Sequence, residues 1–348
     1  MIKVLIVDDS KSVCELFKEM FNREDDFEVV GCAEDGASAL RMVKDLAPDV
    51  VTMDVNLPDF DGFTVTRSIM EESPVPIVIV SAVYSSSDAE LGFRLLDTGA
   101  LSFHDKPALN SDDFYGQMAE IIMSARLMSE VRVVRRKGRL KKDNCIKISE
   151  DTAFEGLHNY PKEVICIGAS TGGPQAVKAI LMSLPVGFPA PIIVIQHMSS
   201  GFTAGMVNWL IDNTGHNIKI AEHGEIIRPG VVYFGPEEYH LEVSADRKVV
   251  LSESPAVNGI RPTVSALFDS VARNIGRLAV AVLLTGMGRD GADELLKIRR
   301  SGGHTIAQNR ETSIVFGMPG EAVRIGAAVQ VLPLEKIGPE LVNHICGS

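Results

Sequence analysis

Short apolar runs rich in β-branched residues alternate with amphipathic stretches from the first residues onward. IKVLIV (2–7), FEVVGC (27–32), DVVTM (49–53), PIVIV (76–80) and ALSF (100–103) have the length and composition of strands. The segments between them, near 11–22, 36–46, 62–72, 87–97 and 112–125, read as helices, and Ser10, Asp61 and Ser111 stand where N-caps belong. Near-continuous apolar strands separated by helices predict a parallel sheet covered on both faces. Five such βα units fill 1–125, one complete doubly wound domain.

The rhythm then stops. Residues 126–160 hold no strand-length apolar run, and Arg132, Arg135, Arg136, Lys137, Arg139, Lys141 and Lys142 form a basic stretch without an acid. A solvated linker is expected there, with an electrostatic latch to an acidic surface as the sharper alternative. From Glu163 the alternation resumes with EVICI (163–167), PIIVIQ (191–196), VVYF (231–234), VVL (249–251), LAVAVLL (278–284) and HTIA (304–307). Helical patterns fall near 173–183, 202–213, 262–273 and 291–301, and the strand-rich stretch 217–253 suggests a mixed sheet or hairpin. A second α/β domain is therefore expected over 161–348, with a mainly parallel sheet.

Composition narrows the choice. At 348 residues the chain exceeds one ordinary domain of ~100–200 residues, and 45% apolar content allows two cores. A net charge of −12 argues against a nucleic-acid binder. Five cysteines (Cys14, Cys32, Cys145, Cys166, Cys346) are odd in number and form no Cys-x-x-Cys pair, so a disulfide framework or zinc site is not expected. No apolar run reaches the ~18 residues of a membrane span, and MIKVLIVDDS has too short an apolar stretch for a secretory signal. A cytoplasmic protein without membrane insertion is expected.

Ligands of open parallel sheets bind outside the carboxyl ends of the strands. Asp8 and Asp9 close the first strand, Asp54 the third and Ser81 the fourth, and Lys106 follows the fifth. Three carboxylates in one crevice repel one another unless a cation or proton joins them, and Mg²⁺ suits such an oxygen set. A carboxylate beside Mg²⁺ can attack a phosphoryl donor, leaving Ser81 and Lys106 to hold the new phosphate. VDDS (7–10), MDVNLPDFDG (53–62), VSA (80–82) and HDKP (104–107) resemble the response-regulator receiver family. The resemblance implies a flavodoxin-like domain of five parallel strands with Asp54 as phosphoacceptor and Asp8, Asp9 and Asp54 as metal-site acids. It further implies Ser81 and Lys106 as phosphate readers, Phe103 as switching aromatic and a histidine kinase as donor.

In the second half, strand 163–167 runs into Gly168-Ala169-Ser170-Thr171-Gly172-Gly173-Pro174. The segment satisfies G-x-S-x-G, which presents a serine Oγ at the top of a sheet, but a phosphate-binding turn or a plain tight turn is also open to it. His197 ends the next strand at the matching position and favours a serine nucleophile with a histidine base. Asp290, in the glycine-rich turn after 278–284, completes a Ser-His-Asp set, with helix N-cap as its plainer role. The Met287 and Gly288 amides could form an oxyanion hole. The order Ser170…His197…Asp290 differs from that of α/β-hydrolases and implies a distinct fold.

GASTGGP (168–174), QHM (196–198), GFT (201–203), RPTV (261–264), TGMGRDGA (285–292), AQ (307–308) and FGMP (316–319) resemble the catalytic domain of chemotaxis protein-glutamate methylesterases. The resemblance implies nucleophile Ser170, base His197 and orienter Asp290, with Thr171 as a supporting hydroxyl or helix cap. It implies hydrolysis of glutamate methyl esters and deamidation of glutamines on chemoreceptor cytoplasmic helices, with no cofactor for the esterase. Phosphorylation at Asp54 would relieve an inhibition in which the receiver covers the catalytic edge. Asn309, Arg310, Ser265 and Gly259-Ile260 depart from the family pattern, and none is expected to touch the triad. A dinucleotide enzyme is disfavoured because His197, not an acid, ends the second strand; a catalytically silent binding module is disfavoured by the intact triad.

Overall fold

A computed structural model describes residues 1–81, 93–94, 96–107, 113–131, 133, 163–198, 201–257 and 259–347. Ala82, the start of the helix expected near 87, the cap Ser111, Cys145 and the basic residues Arg132, Arg135, Arg136, Lys137, Arg139, Lys141 and Lys142 lie outside the described residues. The chain divides into two compact units, Met1–Leu140 and Lys141–Ser348.

In the first unit β1 (Ile2–Val7), β2 (Phe27–Ala33), β3 (Val50–Met53), β4 (Ile77–Ser81) and β5 (Ser102–Asp105) form a parallel sheet in the order β2-β1-β3-β4-β5. Every position of β3 and β4 is buried, which is why those strands read as unbroken apolar runs. The flanking helices are α1 (Lys11–Asn22), α2 (Gly36–Leu46), α3 (Gly62–Glu72) and α4 (Phe114–Ser129). Asp61 caps α3 as expected, accepting from Thr64 N at 2.8 Å. Ser10 occupies the cap position of α1 without a side-chain cap bond, and its own N–H donates to Asp8 Oδ1 at 3.0 Å. The strand order reverses between β1 and β3, so the loops after these two strands open a crevice.

The second unit opens with β6 (Val164–Ala169), α5 (Gly173–Ser183), β7 (Ile192–Gln196), α6 (Thr203–Thr214), β8 (Asn217–Ile220) and β9 (Val231–Phe234). The hairpin β10 (His240–Val243)–β11 (Val249–Ser252) follows, then α7 (Val264–Asn274), β12 (Ala279–Leu283), α8 (Ala292–Arg300) and β13 (His304–Gln308). α9 (Met318–Arg324), β14 (Gln330–Leu332) and α10 (Leu334–Cys346) complete it. Seven strands pair in the order β14-β13-β12-β6-β7-β9-β8, parallel throughout. Of the mixed sheet or hairpin expected over 217–253, the hairpin is present and the main sheet is not mixed. β8 and β9 extend the parallel sheet, while β10 and β11 pair antiparallel outside it. A four-residue apolar run has no feature that selects one sheet over another.

β6, β7 and β12 are buried at every position. From β6 the chain steps one way to β7, and from β12 the other way to β13. Right-handed crossovers then put α5 and α8 on opposite faces. The reversal lies between β6 and β12, whose carboxyl ends carry the Ser170 and Asp290 turns. Gly168 permits this packing, since a Cβ there would clash with Val264 Cγ1 at the start of α7. Gly168→Ala is accordingly expected to cost roughly 1–3 kcal/mol, read as a lower urea midpoint; an unchanged midpoint would contradict that contact.

Candidate functional site

At the crevice of the first unit, Asp8 and Asp54 are buried and Asp9 is exposed. Each offers an oxygen, and the three lie within 4.8 Å of one another. Lys106 Nζ donates to Asp8 Oδ2 and Asp54 Oδ2, both at 2.6 Å, and Ser81 Oγ donates to Asp54 Oδ1 at 3.0 Å. Burial lifts the Asp8 carboxyl above the ordinary carboxylate range, more than Lys106 pulls it back. Burial works against the Lys106 ammonium, yet its bonds to Asp54 and Asp8 hold its pKa above the usual value. A crowded set of hard oxygen donors fits a small divalent cation. Phe103, half-buried on β5, stacks on Phe93 with ring centroids 6.5 Å apart. The structure thus brings together all five polar residues expected at this site.

In the second unit, β6 and β7 run in register through Ala169 and Gln196, so Ser170 and His197 leave neighbouring strands at the same level. His197 N donates to Ala169 O at 3.0 Å, and Gln196 Nε2 donates to Ser170 O at 2.8 Å and to His197 O at 2.9 Å. These bonds fix both backbones. His197 Nε2 meets Asp290 Oδ2 at 2.8 Å, with side chains only 11% and 15% exposed. Ser170 Oγ forms no hydrogen bond to the ring among the described residues. The structure joins His197 to Asp290 and sets Ser170 beside them, leaving Nδ1 as the ring nitrogen not held by the carboxylate.

Asp290 does not cap the helix that follows it; Gly291 holds that position before α8. Its carboxylate instead receives the N-terminus of α7, from Val264 N at 2.6 Å and Ser265 N at 3.0 Å, and also the Ser265 hydroxyl. Burial pushes the Asp290 carboxyl upward, but the His197 ring, Ser265 Oγ and Val264 N–H outweigh it and hold the pKa below its ordinary value. Ser265 Oγ also accepts from Gly291 N at 3.0 Å, locking the turn after β12 to α7. The expectation that Ser265 stands apart from the triad is therefore corrected. Its hydroxyl is one bond from Asp290.

The turn after β12 is tightly fastened. Ser170 N donates to Thr285 O at 3.0 Å, Thr285 Oγ1 to Thr171 O at 2.9 Å, and Thr285 N to the buried Gln308 Oε1 at 2.8 Å. Thr171 is thus held by its carbonyl; Gly172, not Thr171, is the N-cap of α5, and no side chain caps that helix. Gly286 N is used by Val315 O, whereas the Met287 and Gly288 amides have no acceptor among the described residues. Gly317 keeps the Gly288 N–H open, because a Cβ at 317 would lie 2.9 Å from that nitrogen.

Residues 165–341 match the family described as CheB methylesterase, and residues 4–114 match the response regulator receiver domain. A protein-glutamate methylesterase/protein-glutamine glutaminase of Syntrophus aciditrophicus is 47% identical over 99% of this chain and 98% of its own length. The chain belongs to the CheB methylesterase family. A Pyrococcus horikoshii member is 36% identical over 99% of this chain and 94% of its own length. The crystal structure of the Thermotoga maritima CheB methylesterase catalytic domain is 40% identical and covers 53% of this chain and 98% of its own, with a TM-score of 0.51.

Within this CheB family member, sequence reasoning overlooked Gln196, Thr285 and Gln308, which tie the three turns together. Gln196 and Gln308 each end a buried strand and Thr285 lies two residues past one, and that position was the available signal. Ser265 carried no such sign, since its partner is 25 residues away on another element.

Proposed function

We propose that this chain hydrolyses protein γ-glutamyl methyl esters and deamidates glutamines on the cytoplasmic helices of chemoreceptors, under control of a phosphoryl group on Asp54. The observation that carries the reading is the His197–Asp290 hydrogen bond at the strand ends beside Ser170. The proposed organisation is a receiver over 1–125, a basic linker over 126–160 and a catalytic domain over 161–348. Among the described residues no helix is long and apolar enough to cross a membrane. The proposed site of action is the cytoplasm, without membrane insertion.

In this mechanism Ser170 Oγ attacks the ester carbonyl carbon while His197 Nδ1 takes its proton. Asp290 holds Nε2–H and stabilises the imidazolium. The oxyanion of the tetrahedral intermediate accepts from the Met287 and Gly288 amides. Collapse breaks the bond to the methoxy oxygen, which leaves as methanol with the proton from His197. Water then attacks the acyl-serine, giving its proton to the same ring, and the glutamate carboxylate departs as Ser170 is restored. With glutamine the leaving group is ammonia. Thr171 supports this turn through its carbonyl, held by Thr285.

In the receiver, an Asp54 oxygen bonds to the phosphorus of a donor as the donor's P–O or P–N bond breaks, a histidine kinase being the proposed source. Asp8, Asp9 and Asp54 would hold Mg²⁺, which when bound neutralises charge developing on the phosphoryl oxygens. Lys106 and Ser81 then bind the phosphate, and Phe103 is the proposed reporter of the change. Phosphorylation relieves inhibition of the catalytic domain. The test is methanol release from methylated receptor fragments with and without a small phosphodonor. Wild type should be stimulated and Asp54→Asn should not respond; stimulation of the variant would contradict the phosphoacceptor assignment.

A further inference from the structure

An open groove of about 620 Å³ lies beside the Gly288 turn, lined among others by Arg289, Arg310, Arg324, Phe316 and Glu321. Three guanidiniums against one carboxylate is a local reversal in a chain of net charge −12. Two of the three are engaged: Arg324 donates to both Glu321 oxygens at 2.7 Å, and Arg289 reaches Asp293 at 2.6 Å. Arg310 is exposed and has no carboxylate partner among the described residues. Its guanidinium carbon instead lies 4.6 Å from the centroid of the Phe316 ring.

Stacking on an aromatic face occupies the plane of a guanidinium and leaves its edge N–H groups free for a bidentate acceptor. The backbone on either side is fixed. Asn309 Oδ1 accepts from Thr312 Oγ1 at 2.7 Å, and Asn309 N donates to Leu332 O at 2.8 Å. Phe316 bridges to Gly286, where an added Cβ would meet Ser170 Cβ at 2.7 Å. The stacked cation is thereby anchored to the same turn that flanks the serine.

We infer that Arg310, stacked on Phe316, is a specificity residue that binds a side-chain carboxylate of the substrate segment flanking the reacting glutamyl group. The inference rests on the esterase reading above and adds the chemistry of the neighbouring substrate residues. An acidic segment fits, because its carboxylates match both the fork geometry and the sign of the groove.

The test uses the full chain with phosphodonor and two methylated receptor fragments, one with acidic residues flanking the ester and one with those residues replaced by glutamine. Wild type should prefer the acidic fragment through a lower KM. Arg310→Gln, which keeps a polar stem over the ring, should raise KM for the acidic fragment roughly five- to tenfold and bring the preference near unity. Arg310→Glu should reverse it, and added salt should erode it in wild type. Equal KM values for both fragments in wild type would overturn the inference. So would a loss in Arg310→Gln that is the same for both, since that marks a structural role. Absence of methanol release from either fragment in wild type would instead overturn the esterase reading itself.

Discussion

Replacement of Ser170 by alanine is expected to lower methanol release from methylated receptor fragments by about 10⁴–10⁶-fold with little change in stability. The hydroxyl is the group proposed to form the acyl intermediate. Its removal leaves His197, Asp290 and the Met287–Gly288 turn in place, and these alone give only residual catalysis. Stability should hold because Ser170 is fixed through its backbone, by Thr285 O and Gln196 Nε2, and its Oγ carries no hydrogen bond among the described residues. Retention of most of the activity in Ser170→Ala would end the nucleophile assignment. A collapse of the thermal transition would mean that the serine is structural.

Asp290→Asn should lower the rate by about 10⁴-fold, and unlike Ser170→Ala it should also destabilise the fold. The carboxylate accepts from Val264 N, Ser265 N, Ser265 Oγ and His197, and an amide offers only one oxygen for those four donors. With its NH₂ toward His197 it forces the proton onto Nδ1, the nitrogen proposed to face Ser170. With its NH₂ toward Ser265 it unlatches α7. Leaving one such donor without an acceptor costs about 1–3 kcal/mol. The sign of the pH dependence follows from the depressed pKa of this group. Its contribution to stability is complete above the ordinary value of 3.8 and is lost as pH falls through the lower folded value. Urea midpoints of wild type and Asp290→Asn should therefore differ at pH 7 and converge in acid. A constant difference across that range would place the effect elsewhere.

The receiver site was readable because its five polar residues each end a strand of a doubly wound sheet or lie within two residues past one, where topology forces convergence. Ser170, His197 and Asp290 were readable for the same reason, each following a run of wholly buried residues. What joins them was not. That Asp290 receives the N-terminus of α7 rather than capping α8 depends on how α7 docks against the turn after β12, a tertiary choice with no local signature. Ser265 illustrates the cost of reading a departure by position alone, for its hydroxyl bonds Asp290 and Gly291 at once. The choice of Nε2 as the ring nitrogen held by Asp290, and the parallel addition of β8 at the sheet edge, are likewise set by packing rather than by periodicity. The pairing of Arg310 with Phe316 spans a turn that sequence spacing alone leaves undirected.

The central claim is that Ser170 is activated by the His197–Asp290 pair. Its most direct test is peptide mapping by mass spectrometry after treating the phosphorylated chain with a fluorophosphonate. One adduct is expected, on the peptide carrying Ser170, formed slowly or not at all in His197→Gln. A chain that releases methanol while Ser170 stays unmodified, or that labels equally fast without His197, would contradict it.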